Sequence, residues 1–337
     1  MAAPPLVSAL VVTYNHEDEI SACVDAARAQ AGGDVAIEVV VVDNASSDAT
    51  LERLRAYGDD IVVVAQGLNT GFAAGVNRAF EASRGEFVLL LNPDAVMDAG
   101  CVRELVAYLR AAPEVAAAAA LLRNTDGSPQ LFCRTDPDAA AIWWGSTSLG
   151  RQIDARRGWR ATRRLRYAEL WDSTPRGPAV PTPVDAPAGA CVLLRRAAVE
   201  PQPLDPAFPL FFNDGDLYWR LRSRHAGVML VPAATAVHGY GTSISRTAAQ
   251  QLPALRAEWV AASLRYLHRA HGPRQAAAGW LAYLADAAYQ ALRHLAGRGS
   301  PSTPGHVRGL LGGLGLPGGV DPLFSKPVPS FLRRARR

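Results

Sequence analysis

At 337 residues, 49% of them apolar, the chain can bury a large α/β core with an appendage, or two modest cores, and this excludes wholesale disorder. The formal charge of +4 is mild and unevenly placed, with arginines crowded into 151–176 and the last five residues and more acids in the first hundred. Such local excess suits phosphate-bearing partners or a solvated surface and gives no ground for a nucleic-acid binder.

Four cysteines, Cys23, Cys101, Cys133 and Cys191, stand far apart without a CxxC pair. They read as buried thiols in a reducing compartment, not as a zinc site or disulfide framework. MAAPPLVSALVVTYN has no basic leader, so no signal peptide is expected.

Val7–Val12 is an apolar run apart from Ser8, as in a buried parallel strand, and Tyr14-Asn15 ends it. Helical spacing over 17–31 follows, through Ile20, Val24 and Ala27. Ile37–Val42 is a second strand, stopped by the capping-rich cluster 43–48, with a helix to about Tyr57. Ile61–Ala65, a helix over 71–83 and the strand Phe87–Leu91 continue the alternation. This rhythm predicts right-handed βαβ units with helices on both faces of the sheet. Ala111–Leu122 reads as a helix end followed by a strand, and residues 123–184 as an irregular Arg- and Trp-punctuated insert. Order returns over 184–196 and 208–238, with a helix expected over Leu217–Arg224. From Thr247 a stripe of Leu255, Trp259, Ala262, Tyr266 and Leu267 marks a helix. The stretch Ala276–Ala296, interrupted by Asp286, Gln290, Arg293 and His294, reads as amphipathic and not as a membrane span. The expected division is a catalytic domain over 1–245 (halves 1–122 and 185–245 around the insert 123–184), helices over 246–298 and a Gly/Pro-rich basic tail over 299–337.

In parallel α/β sheets ligands collect beyond the carboxyl ends of the strands. Here Thr13-Tyr14-Asn15, Asp43-Asn44, Asn69-Thr70-Gly71 and Asn92-Pro93-Asp94 all fall at such ends. Each taken alone could merely cap the next helix; four together point to one ligand rim. Gly71-Phe72-Ala73-Ala74-Gly75 is not GxGxxG, which counts against a nicotinamide-dependent oxidoreductase.

VVTYN, VVVDNASSDAT, NTGFAAGVNRAF and LLLNPDAV resemble the nucleotide-sugar half of the family-2 glycosyltransferases. VDAPAGACVLLRR and FPLFFNDGDLYWRLRSRHAGVMLVPAATAVHGYGTS resemble that family's acceptor half, closest to bacterial rhamnosyltransferase-like members. The resemblance implies a GT-A type nucleotide-diphospho-sugar transferase fold, a Rossmann-like mixed sheet with helices on both faces, plus C-terminal helices. It implies an inverting transfer, with dTDP-rhamnose (or another dTDP- or UDP-sugar) as donor and a glycan or polyprenyl-diphosphate-linked acceptor. Cleaving a sugar–diphosphate bond calls for neutralised leaving-group charge, which a divalent cation, Mn²⁺ or Mg²⁺, supplies. The family's DXD-like motif reads Asn92-Pro93-Asp94 here, so Asp94 is its one carboxylate, and His238 in VHGYG falls where relatives carry a metal-binding histidine. The general base that inversion needs maps onto Asp214 of Asn213-Asp214-Gly215-Asp216, where the family usually has Glu at the first position.

By the same resemblance, Asp43 holds the nucleobase or ribose, with Thr13 and Asn15 in the same pocket. Asn69, Gly71 and Asn77 surround base and diphosphate, Asn92 joins Asp94 at the donor, and Gly189 lies beneath the donor sugar. Gly75 could equally relieve packing. Asp216 is expected on the acceptor side, capping the following helix, and Trp143, Trp144, Trp159 and Trp171 are core residues or sugar platforms. Arg246, Arg265 and the 151–176 arginines could grip an acceptor diphosphate. A cytoplasmic protein touching the inner face of the plasma membrane peripherally is expected. Asn92 and Asn213 keep open a second reading, a non-catalytic nucleotide-sugar-binding scaffold of a polysaccharide assembly complex.

Overall fold

The computed structural model describes residues 6–130, 135–157, 178–239, 251–299 and 303–316. They fall into two compact units. The first holds 6–130, 178–209 and 213–239; the second holds 136–157, 210–212, 251–299 and 303–316.

The first unit is built on one mixed sheet. Its strands are β1 (Leu6–Thr13), β2 (Ala36–Asp43), β3 (Val62–Ala65), β4 (Phe87–Leu91), β5 (Ala95–Met97), β6 (Val115–Arg123), β7 (Thr182–Pro183), β8 (Cys191–Arg195) and β9 (Gly227–His238). The order is β3-β2-β1-β4-β8-β6-β9-β5, with β7 beside β9. Strands β1 to β4 pair parallel, as the strand–helix rhythm predicts, while β8 runs antiparallel to both β4 and β6.

Period-2 alternation gives each central strand two buried faces. Val7, Ala9 and Val11 join Val39, Val41, Leu89 and Leu91 on one side, against α1 (Ile20–Arg28) and α4 (Cys101–Ala111). Leu10, Val12, Val40, Val42, Val88 and Leu90 join the other, against α3 (Phe72–Glu81). The short α2 (Thr50–Arg55) follows β2. The alanine-rich β6 is a strand despite poor β propensity, because both its faces are buried and both its edges are paired, with β8 and β9.

Two segments differ from expectation. Helix α6 runs Asn213–Ser223, not from Leu217. Part of the segment expected to be irregular is helical, at Ala139–Ser146 and in α5 (Ser148–Arg157), and it clusters with the C-terminal helices α7 (Leu252–His271), α8 (Pro273–Leu295) and α9 (Thr303–Gly313). The second unit has its own core, including Ile142, Val260, Leu264, Leu267, Tyr283 and Leu310. Cys23, Cys101 and Cys191 are buried free thiols; Cys133, Trp159, Trp171 and the tail 317–337 lie outside the described residues.

Candidate active site

At the ends of β1 and β2, Thr13 pairs in register with Asp43, and both are 1% exposed. One Asp43 carboxylate oxygen accepts from the Ser46 N–H at 3.1 Å; the other, Oδ1, is buried with no hydrogen-bond partner. A buried acceptor left unpaired is costly, so such an atom marks a place for a ligand donor. Beside it, the Gln66 N–H donates to the Asp43 carbonyl at 2.9 Å, and Gln66 Oε1 accepts from Thr70 at 3.1 Å. Gln66 Nε2 is a buried donor with no partner. An orphan acceptor and an orphan donor thus stand on neighbouring chain segments of one rim. Gln66 carries no motif signal, and sequence reasoning missed it.

Asn15 takes a positive φ of 58° and ties this rim together. Its N–H donates to Ser46 Oγ at 2.9 Å and its Oδ1 accepts from the Ser47 N–H at 2.8 Å. Gly71 is demanded by its surroundings: φ is 89°, and a Cβ would lie 2.9 Å from the Pro209 carbonyl oxygen. Asn69 Oδ1 accepts the Gly71 N–H at 3.0 Å, fixing that turn. Asn77, expected around base and diphosphate, has its amide engaged within the protein. Its amide donates to the Leu204 carbonyl at 2.7 Å and accepts the Leu204 N–H at 3.1 Å, so it fastens a loop. Gly75 likewise serves packing, since a Cβ there would meet Val12 at 2.7 Å.

The second half of the rim lies beyond β4. Ala95 of β5 pairs with His238 of β9, and the Gly239 N–H donates to the Asp94 carbonyl at 2.9 Å. His238 Nε2 is thereby brought 3.3 Å from Asp94 Oδ1, both side chains nearly buried, and 3.2 Å from Asn92 Nδ2. Gln130 Nε2 donates to the His238 carbonyl at 2.6 Å, which turns Gln130 Oε1 toward His238 Nδ1 at 3.0 Å. An amide oxygen only accepts, so Nδ1 carries a proton and Nε2 is the ring nitrogen turned toward Asn92 and Asp94. Gln130, another residue without a motif, therefore sets the tautomer. Cys23 Sγ donates to the Asn92 carbonyl at 3.3 Å; burial, reinforced by Asp94, pushes its thiol far up, so it stays neutral.

Asp214 reaches the same rim through Gly189. The Asn92 N–H donates to the Ala190 carbonyl at 2.9 Å, and a Cβ on the adjoining Gly189 would lie 3.3 Å from Asp214 Cβ and 3.7 Å from Asp214 Oδ2. Asp214 sits half-buried in the first turn of α6, its Oδ1 accepting the Gly215 N–H at 2.7 Å. A carboxylate at a helix N-terminus is favoured as the anion.

Asp216 differs from expectation. It lies inside the first turn of α6 and not ahead of it, fully buried, and accepts from Arg220 Nε at 2.9 Å, a contact that fastens the helix. Arg265 lies on α7 in the second unit, where it interacts electrostatically with Glu258. Arg246 lies outside the described residues.

Residues 8–167 match the family Glycosyl transferase family 2. The protein EpsH of Bacillus subtilis is 35% identical over 92 residues, 27% of this chain and 26% of that protein. N-acetylglucosaminyl-diphospho-decaprenol L-rhamnosyltransferase of Mycobacterium tuberculosis is 26% identical over 231 residues, 65% of this chain and 71% of that one. The chain thus spans about a quarter of the first relative and most of the second. Among solved structures, a mannosyltransferase from Pyrobaculum calidifontis in complex with GDP-Man and Mn²⁺ is similar, with a TM-score of 0.52 at 18% identity, over 92% of this chain and 87% of that one. The mixed sheet flanked by helices, followed by C-terminal helices, is the GT-A type fold.

Proposed function

We propose that this chain, whose residues 8–167 match the family Glycosyl transferase family 2, moves a sugar, with inversion, from a nucleotide-diphosphate donor to a hydroxyl of a glycan or polyprenyl-diphosphate-linked acceptor. The best candidate donor is dTDP-rhamnose. That choice follows the mycobacterial relative, whose name specifies rhamnosyl transfer to a lipid-linked N-acetylglucosaminyl diphosphate.

The observation that carries the reading is that His238 Nε2 lies 3.3 Å from the Asp94 carboxylate, while the Asp214 carboxylate lies beside Gly189, next to the Ala190 whose carbonyl takes the Asn92 N–H. The orphan Asp43 Oδ1 and Gln66 Nε2 suit the donor and acceptor edge of a nucleobase. Thr13 and Asn15 complete that pocket, and Asn69 holds Gly71 in the turn that lets backbone approach the donor.

Asp94 Oδ1 and the His238 Nε2 lone pair, two electron-rich atoms 3.3 Å apart, fit a divalent cation; oxygen plus imidazole suits Mn²⁺ better than Mg²⁺. Such an ion supplies positive charge to the departing diphosphate. Asn92 Nδ2, 3.2 Å from Nε2, would give up that contact to the cation, while Gln130 at Nδ1 keeps the ring aimed at Asp94. Asp214 takes the acceptor hydroxyl's proton as the oxygen attacks the anomeric carbon from the face opposite the leaving diphosphate. Gly189 leaves room for the donor sugar because any side chain there would press on Asp214.

Turnover tests this directly. Nucleoside diphosphate released from a panel of donors is measured with Mn²⁺, with Mg²⁺ and after chelation. Metal-dependent release, lowered about 10²–10⁴-fold in Asp214→Asn with donor affinity kept, is expected. Donor binding without turnover under any metal would establish a scaffold instead.

A further inference from the structure

Helix α8 carries apolar side chains on the face that meets water as well as on the face that meets the core. Its polar Asp286 and Gln290 point inward, 0% and 9% exposed, beside the buried Tyr283 and Ala287. Leu281, Leu292 and Leu295 point outward, 61%, 66% and 83% exposed. With the exposed Ala288 they follow helical spacings of seven, four and three residues, which align them on one stripe about 21 Å long. Helix α1 shows the ordinary arrangement, burying Ile20, Cys23, Val24 and Ala27.

Charge around the stripe has one sign. Between 273 and 299 the one acid is the inward Asp286, while Arg274 and Arg298 are exposed at the two ends and Arg293 stands half-buried between them. No helix among the described residues is long and apolar enough to cross a membrane. An outward leucine row flanked by arginines complements an interface that is apolar inside and anionic at its surface.

We infer that the outward face of α8 docks on an anionic lipid bilayer. Leu281, Leu292 and Leu295 enter the acyl boundary, and Arg274, Arg293 and Arg298 meet headgroup phosphates. The inference goes beyond the transfer reading and does not depend on it.

The test is flotation of the full chain with vesicles of phosphatidylcholine alone or mixed with phosphatidylglycerol. The chain is expected to float with the mixed vesicles and to be released by salt. The L281Q/L292Q/L295Q variant should float about tenfold less at an unchanged Tm. Its nucleoside-diphosphate release with a water-soluble acceptor should equal that of the parent chain. R274Q/R298Q should lose the preference for anionic over neutral vesicles. Should the triple variant fold poorly, L295Q alone, at the most exposed position, should still weaken flotation. A parent chain that stays with the unbound fraction, or a leucine variant that floats equally well, overturns the proposal. So does light scattering that shows a dimer split by the leucine changes, which would assign the stripe to a second copy of the chain. Flotation retained in a chain without transferase activity supports docking and refutes the transfer reading alone.

Discussion

In the first unit His238 Nε2 stands 3.3 Å from Asp94 while Gln130 holds the opposite ring nitrogen; in the second, His306 Nε2 stands 3.8 Å from Asp286 and has no hydrogen-bond partner. Both pairs bury an acid beside an imidazole, yet they are built for different ends. At His238 a second residue holds Nδ1–H and turns Nε2 toward a carboxylate, the arrangement that the proposed cation site would use. Asp286 instead accepts the Leu149 N–H at 2.9 Å and lies 3.9 Å from Arg256, whose guanidinium is lowered in pKa chiefly by burial. That arrangement ties helices together. Ligand chemistry at an acid–histidine pair is therefore decided by what holds the far side of the ring.

The largest expected effect would break the comparison if it fell on the wrong side. Asp286→Ala removes the counter-charge of a buried arginine and should cost about 3–5 kcal/mol in denaturant unfolding, with the metal requirement for turnover unchanged. A shifted metal requirement would mean that the second pair also holds an ion. Next, Gln130→Leu frees the His238 ring, and the Mn²⁺ concentration giving half-maximal turnover should rise about 10–100-fold, with the rate at saturating metal largely kept. Unchanged metal titration would reduce Gln130 to a packing residue. Gln66→Ala is smaller still. Losing one neutral hydrogen bond of about 1 kcal/mol should weaken donor binding roughly fivefold by calorimetry, while the free nucleoside shows the same loss. Equal affinities in variant and parent would remove Gln66 from the base pocket.

The smallest effect sharpens the contrast from the second unit alone. Glu258 is 2% exposed with an unpartnered Oε1, and burial pushes its carboxyl up against the opposing pull of Arg265. A folded-state value above the ordinary 4.5 means that the folded chain binds this proton more readily than the unfolded one. The charge therefore costs stability above the raised value, and the cost fades as pH falls through it toward 4.5. Glu258→Gln should raise Tm near neutral pH, with the gain shrinking on acidification across that window. A gain independent of pH would show that the carboxylate is not the source of the cost.

Much of the site was legible in the sequence because strand ends are legible. Apolar runs stopping at Thr13, Asp43 and Asn92 placed the rim, and the family resemblance added Asp214 and His238 at positions that the fold brings to it. Asn77 and Asp216 were not legible as fasteners. Each lies in a run that reads as ligand-facing, and their partners Leu204 and Arg220 become visible only as hydrogen bonds. The helices at 139–157 escaped notice because α5 has few apolar positions of its own. It is ordered by contacts such as the Leu149 N–H to Asp286, 137 residues away.

Local pattern alone determined the alternation of strands and helices, the two-faced core and the polar rim, since burial of period-2 and period-3.6 stripes needs no knowledge of distant residues. Tertiary structure decided which nitrogen of His238 faces Asp94, which amides are spoken for and which face of α8 meets solvent. Those outcomes rest on contacts such as Gln130 with His238, 108 residues apart, and on Asn92 with His238, 146 apart. A hydrogen bond over such a span is created when the sheet brings β4, β6 and β9 to one edge of a cleft, and no periodicity within either segment encodes it.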